Sequence, residues 1–167
     1  MNYKLFLNWW LVLCVMVLAQ IVSYYFGLTQ IIIETDVTYL TWVIFASLTI
    51  GTILAGYHSK RVSDYIAGKR EMPLEEEWST GWFLADMCLS LGMLGTVIGF
   101  IMMLSNAFDG VDVTNTAQMT QLLANMGTGM GVALYTTATG LVANLILKLQ
   151  FFLIESAYDL HNKRVAG

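Results

Sequence analysis

Apolar residues gather into four long runs, roughly Leu5–Phe26, Tyr39–Tyr57, Trp82–Leu104 and Met130–Leu153. Each reaches the ~20 residues that carry a helix across the hydrocarbon core of a bilayer. The pattern predicts an all-α membrane protein: four transmembrane helices forming one membrane domain over residues 1–167. Aromatic residues flank the first two runs as interfacial belts, with Trp9, Trp10 and Tyr57 at one surface and Tyr24, Tyr25, Tyr39 and Trp42 at the other. Polar positions inside these two runs are sparse and uncharged (Gln20, Ser47, Thr49, Thr52), which suits side chains bonded to their own backbone or packed between helices. The first run starts after Lys4 and continues past Ala19 to Phe26. That is long for a secretory signal core, and Met16 stands where a cleavage site needs a small residue, so a retained helix is expected.

The connections are read the same way. Residues 58–81 are too few for a domain of their own. Pro73 followed by Glu75, Glu76 and Glu77 is a helix-start signal, so the third helix is expected to begin near Pro73 and run into its span. In the loop over 105–129, Asn115 and Thr116 are cap candidates for a short amphipathic helix, Ala117–Leu123, lying on the outer surface and ended by Gly127.

Charge then orients the chain. All eight Lys and Arg residues (Lys4, Lys60, Arg61, Lys69, Arg70, Lys148, Lys163, Arg164) fall at the same side of the four runs. The other two loops hold Glu34, Asp36, Asp109 and Asp112 and no cation. By the positive-inside rule both termini and the middle connection are cytoplasmic. Apolar residues make up 57% of the chain and charged ones 12%, against about 45–50% and about 25% in soluble domains. No basic cluster suits nucleic acid. Cys14 and Cys88 lie inside apolar runs, as small buried hydrophobes rather than a disulfide. His58 and His161 have no other ligand types nearby, and no nucleophile–base pair appears. No metal, cofactor or enzymatic activity is expected.

The last two runs differ from the first two. Gly92, Thr96 and Gly99 recur at four- and three-residue steps on one helix face. Gly129, Ala133, Thr137, Gly140 and Asn144 share a face of the next. Small residues let helix backbones approach closely in lipid. Hydroxyls at mid-membrane depth serve such packing or line a polar path, and the pattern alone fits both.

Here the chain resembles the MotA/TolQ/ExbB proton channel family. The family signature is Gly-Leu-Leu-Gly-Thr-Val-x-Gly followed, after an outer loop, by Ala-Leu-x-Thr-Thr-Ala-x-Gly-Leu. This chain has Gly92-Met93-Leu94-Gly95-Thr96-Val97-Ile98-Gly99 and Ala133-Leu134-Tyr135-Thr136-Thr137-Ala138-Thr139-Gly140-Leu141, within Trp82–Phe152. The resemblance implies a ring-forming homo-oligomer, a pentamer, in the bacterial cytoplasmic membrane. The ring would surround a dimer of a single-helix partner of the MotB, TolR or ExbD type carrying an essential Asp. It implies an ion-conducting, proton-driven motor subunit, with sodium the other ion used in the family. Carried over by position, Thr96 and Thr137 line the ion pathway, with Thr136 and Asn144 beside them. Gly92, Gly95, Gly99, Ala133 and Gly140 serve helix packing and partner contact.

The chain departs from the pattern at Val132, where relatives often carry Glu, and at Ile146, where many carry Pro. The short 58–81 connection lacks the large domain with which flagellar members push a rotor. Asp86 is the sole carboxylate in an apolar run: it reads as an inner-mouth acid or as a structural partner of Lys148, and the shared depth of the two residues favours the pairing. A non-conducting scaffold ring is the alternative function, followed by a small four-helix transporter, which the missing mid-membrane acid disfavours.

Overall fold

In a computed structural model the described residues form four helices in order, α1 (Lys4–Tyr25), α2 (Leu40–Ile66), α3 (Ser79–Ala107) and α4 (Thr116–Ala166), and no strand. The structure describes residues 4–25, 27, 39–69, 79–107 and 116–166. Glu34, Asp36, Asp109 and Asp112, and the Pro73 helix-start signal, lie outside them. Among the described residues, three segments are long and apolar enough to cross a membrane, Leu40–Ile66, Ser79–Ser105 and Ala133–Arg164. The apolar part of α1, Trp9–Tyr25, is shorter.

Buried positions step by three and four along each of the three long helices. They include Ile44, Ser47, Gly51, Ala55, Ser59 and Val62 on α2, Gly81, Ala85, Cys88, Gly92 and Gly95 on α3, and Ala133, Thr136, Gly140, Ala143, Leu147, Phe151 and Ile154 on α4. That spacing gathers each set on one face, as in a bundle of side-by-side helices. The α3 set contains nothing larger than Cys, so α3 lies close against α4 and the two form the principal pair. Bulk comes from Leu147, Phe151, Ile154 and Tyr158 of α4 with Ile44 and Val62 of α2. The Phe151 ring covers Gly81 and lies 6.4 Å from the His58 ring, centroid to centroid.

Two helices are longer than the hydropathy suggests. α2 continues past Tyr57 through the cationic residues to Ile66, because His58, Ser59, Val62 and Ser63 keep its buried stripe against α4. It ends at Gly68 in the left-handed region (φ 70°), with Gly68 N–H donating to Tyr65 O and Lys69 N–H to Asp64 O, a Schellman cap. α4 runs unbroken for 51 residues, about 76 Å at helical rise, so the separate surface helix ended by Gly127 is not what forms. Leu122 and Ala133 are both buried and eleven residues apart, three turns. One continuous helix holds them on a single packed face, which offsets the cost of Gly127 in its interior.

α1 packs mainly on α2. Trp9 sits against Gly56 and its indole N–H donates to Thr52 O at 3.3 Å. Most of α1 faces outward, Leu11 and Leu18 among them, and so does Cys14, whereas Cys88 is buried as expected. Thr49 and Thr52 bond back to Phe45 O and Leu48 O, the local role read from their sparse placement.

Candidate functional site on the α3–α4 seam

The seam closes on glycine. A Cβ on Gly140 would lie 2.6 Å from Cys88 O and 2.9 Å from Gly92 Cα, so backbone meets backbone at the crossing. One turn toward the C-terminus of α3, the methyl of buried Thr136 fills the space over Gly95. Ala133 packs against Gly99 beyond it.

Thr137 lies about 100° further round the helix than Thr136 and reaches the edge of the seam instead of its interior. Its hydroxyl donates to Gly92 O at 2.8 Å, and its Oγ1 is 3.2 Å from Thr96 Oγ1. Thr96 in turn donates to Met93 O at 2.6 Å. A carbonyl oxygen only accepts, so Thr96 gives its proton to Met93 O, and Thr137 shares its own between Gly92 O and Thr96 Oγ1. Each Oγ1 keeps acceptor capacity beyond these bonds. The pair is therefore an acceptor surface, suited to a cation or a protonated acid and unfavourable to a carboxylate.

Beside Thr96 the edge opens into an apolar groove of about 300 Å³ lined by Thr96, Val97, Phe100, Ile101, Met130 and Leu134. Toward the other end, Asn144 Nδ2 donates to Ala85 O at 2.7 Å inside the seam. Beyond it Lys148 Nζ meets Asp86 Oδ1 at 2.9 Å, with the ammonium 5.9 Å from the Trp82 ring centroid. That is the pairing their depth suggested.

Of the residues carried over as pathway-lining, the structure brings Thr96 and Thr137 together at the edge. It gives Thr136 and Asn144 contacts within the seam. The buried α3 stripe passes through Gly92 and Gly95, Gly99 packs on Ala133, and Thr96 flanks the stripe at the seam's edge. Gly81 and Ala85 extend the stripe and were missed, and Cys88, expected to be buried, belongs to it as well. Their four- and three-residue steps back from Gly92 were the available signal. Gln150, 2% exposed with Nε2 3.5 Å from Met16 Sδ, was missed as well.

Asn144→Leu tests the buried bond. Interhelical hydrogen bonds in membrane proteins average ~0.6 and reach ~1.7 kcal/mol. The variant is expected to lower the detergent melting temperature by a few degrees and to leave the fold intact by circular dichroism.

Long apolar helices joined by a glycine-closed seam with hydroxyls along one edge define a helical integral membrane protein. Residues 58–161, more than half of the chain, match the MotA/TolQ/ExbB proton channel family, and the protein belongs to it. No curated protein and no solved structure matches the chain. The match is wider than the motif region Trp82–Phe152, taking in the end of α2 and nearly all of α4. These are the segments that extend the bundle beyond its apolar spans.

Proposed function

We propose that this chain is the ring subunit of a proton-driven membrane motor, a homopentamer in the bacterial cytoplasmic membrane around two copies of a single-helix partner. The observation that carries the reading is the Thr96–Thr137 pair, two linked hydroxyls that donate to backbone carbonyls at the edge of the seam, with Thr96 lining the groove beside them. A partner carboxyl protonated from the outer side is neutral, and passage of a neutral acid through a low-dielectric wall avoids the cost of a buried charge. As it passes, its O–H has acceptors to meet at Thr96 and Thr137. The groove above the pair offers an apolar bed for the partner helix. Loss of the proton on the inner side leaves a carboxylate that the acceptor pair repels, which biases the direction of travel. Partner rotation inside the ring converts the gradient to mechanical work.

Asp86 is the sole carboxylate along α3, and α4 has none before Glu155, so the two seam helices hold no acid at the depth of the hydroxyl pair. Proteoliposomes containing only this chain are expected to show no proton uptake above the lipid background, and uptake should appear when the single-helix partner is co-reconstituted. Rapid, partner-independent uptake, or none with the partner, sinks the reading.

A further inference from the structure

The edge that carries the hydroxyl pair carries a second polar link. Lys148 follows Thr137 by eleven residues, three turns, so the two share a face of α4. Asp86 reaches Lys148 from α3 just as Thr96 reaches Thr137. Asp86 is the only charged residue of α3, and Lys148 is the only one of α4 from Thr116 to Ile154. The pair is nevertheless open: the Asp86 side chain is 61% exposed and that of Lys148 39%. Both residues stand within stretches apolar enough to cross a membrane. A charged side chain facing hydrocarbon is costly. The open side of Asp86 is therefore built to meet water or protein, and its partner Lys148 shares the α4 face of Thr137.

We propose that Asp86 is the proton acceptor at the inner end of the pathway, and that Lys148 exchanges carboxylate partners as the proton moves. The inference rests on the channel reading above. The partner helix brings a neutral carboxyl past the hydroxyl pair. Its O–H bond breaks as an O–H bond forms on the Asp86 carboxylate. Lys148, released by a now neutral Asp86, pairs with the carboxylate left on the partner. Asp86 then gives the proton to water on the inner side, recovers Lys148 and frees the partner carboxylate. The three groups sum to zero charge before and after the transfer, so no net charge is created in the low-dielectric wall. The Trp82 ring face beside the ammonium steadies it between its two anions, and the flexible lysine stem supplies the reach.

The test uses the co-purified complex of full chain and single-helix partner, reconstituted with a pH-sensitive dye inside the vesicles. Asp86→Asn is expected to slow proton flux about 100-fold, the scale of losing a placed acid–base group, while Asp86→Glu stays near the wild-type rate. Residual flux in Asp86→Asn should also lose its dependence on inner-side pH, which a merely structural pair would not alter. The double variant D86N/K148M leaves no stranded charge and is expected to remain slow, with oligomer mass and melting unchanged. Wild-type flux in Asp86→Asn or its recovery in the double variant would mark the pair as a strut and overturn the inference. A wild-type complex that conducts nothing overturns the channel reading itself, and this inference with it.

Discussion

Replacing Thr96 and Thr137 together by valine is expected to abolish most ion flux while the ring still assembles. Valine keeps the shape of threonine and removes only the hydroxyl, so the seam at Gly92, Gly95 and Gly140 keeps its packing. The bonds lost are Thr137 to Gly92 O, Thr96 to Met93 O and the 3.2 Å link between the two hydroxyls. At ~0.6 kcal/mol for an interhelical bond, and less for one within a helix, stability falls by about 1 kcal/mol or less. Transport depends on the oxygens differently. A protonated carboxyl crossing between two valines has no acceptor, and an unsatisfied polar group in an apolar wall costs about 2–7 kcal/mol. At the low end of that range the rate falls roughly 30-fold, since each ~1.4 kcal/mol is a factor of ten. Dye-reported proton uptake of the reconstituted complex, read beside oligomer mass and melting temperature, separates the two effects. Unchanged flux in an assembled T96V/T137V ring refutes a pathway role for the pair and favours a scaffold. The single variant Thr137→Val is expected to retain intermediate flux, because Thr96 keeps its oxygen at the edge.

Much of this arrangement is legible in the chain because lipid and backbone impose simple rules. The apolar runs locate α2, α3 and the membrane part of α4. The four- and three-residue steps among small residues announce that α3 and α4 meet on glycine. The pairing of Asp86 with Lys148 follows from two charges at one depth on neighbouring helices. Hydropathy is silent where helices outrun the apolar zone. His58 to Ile66 and the first turns of α4 are polar enough to read as loop, and only the periodic burial of Val62 and Leu122 shows that helix continues. Adjacent residues on a helix lie about 100° apart, which is why a motif containing Gly95-Thr96 and Thr136-Thr137 left the buried member of each pair open. Three-dimensional packing decides it: Gly95 and Thr136 fill the seam, and Thr96 and Thr137 take its edge. The hydroxyl proton directions depend on which carbonyls fall within reach, and that is information no spacing holds.

Two glycines of α4 are expected to respond to alanine with opposite sign. Gly140 has no room: an added methyl meets Cys88 O at 2.6 Å and Gly92 Cα at 2.9 Å, and both are backbone atoms without a rotamer to change. The helices must separate, which opens gaps at Thr136 over Gly95 and lengthens the Thr137 bond to Gly92 O. Overpacking of this kind costs about 1–3 kcal/mol for small additions, against a total of about 5–15 kcal/mol for a domain. Gly140→Ala should lower the melting temperature markedly, and the bulkier Gly140→Val should yield no assembled protein. Gly127 lies in the same helix, and a methyl added there would have nothing within 4 Å of it. The only change at that position is helix propensity, which favours alanine by about 1 kcal/mol. Gly127→Ala should therefore raise the melting temperature or leave it unchanged. Parallel melts in one detergent read both variants. Equal responses at the two positions would show that α4 is not a single continuous helix docked on α3 at Gly140, and the seam geometry would fall with it.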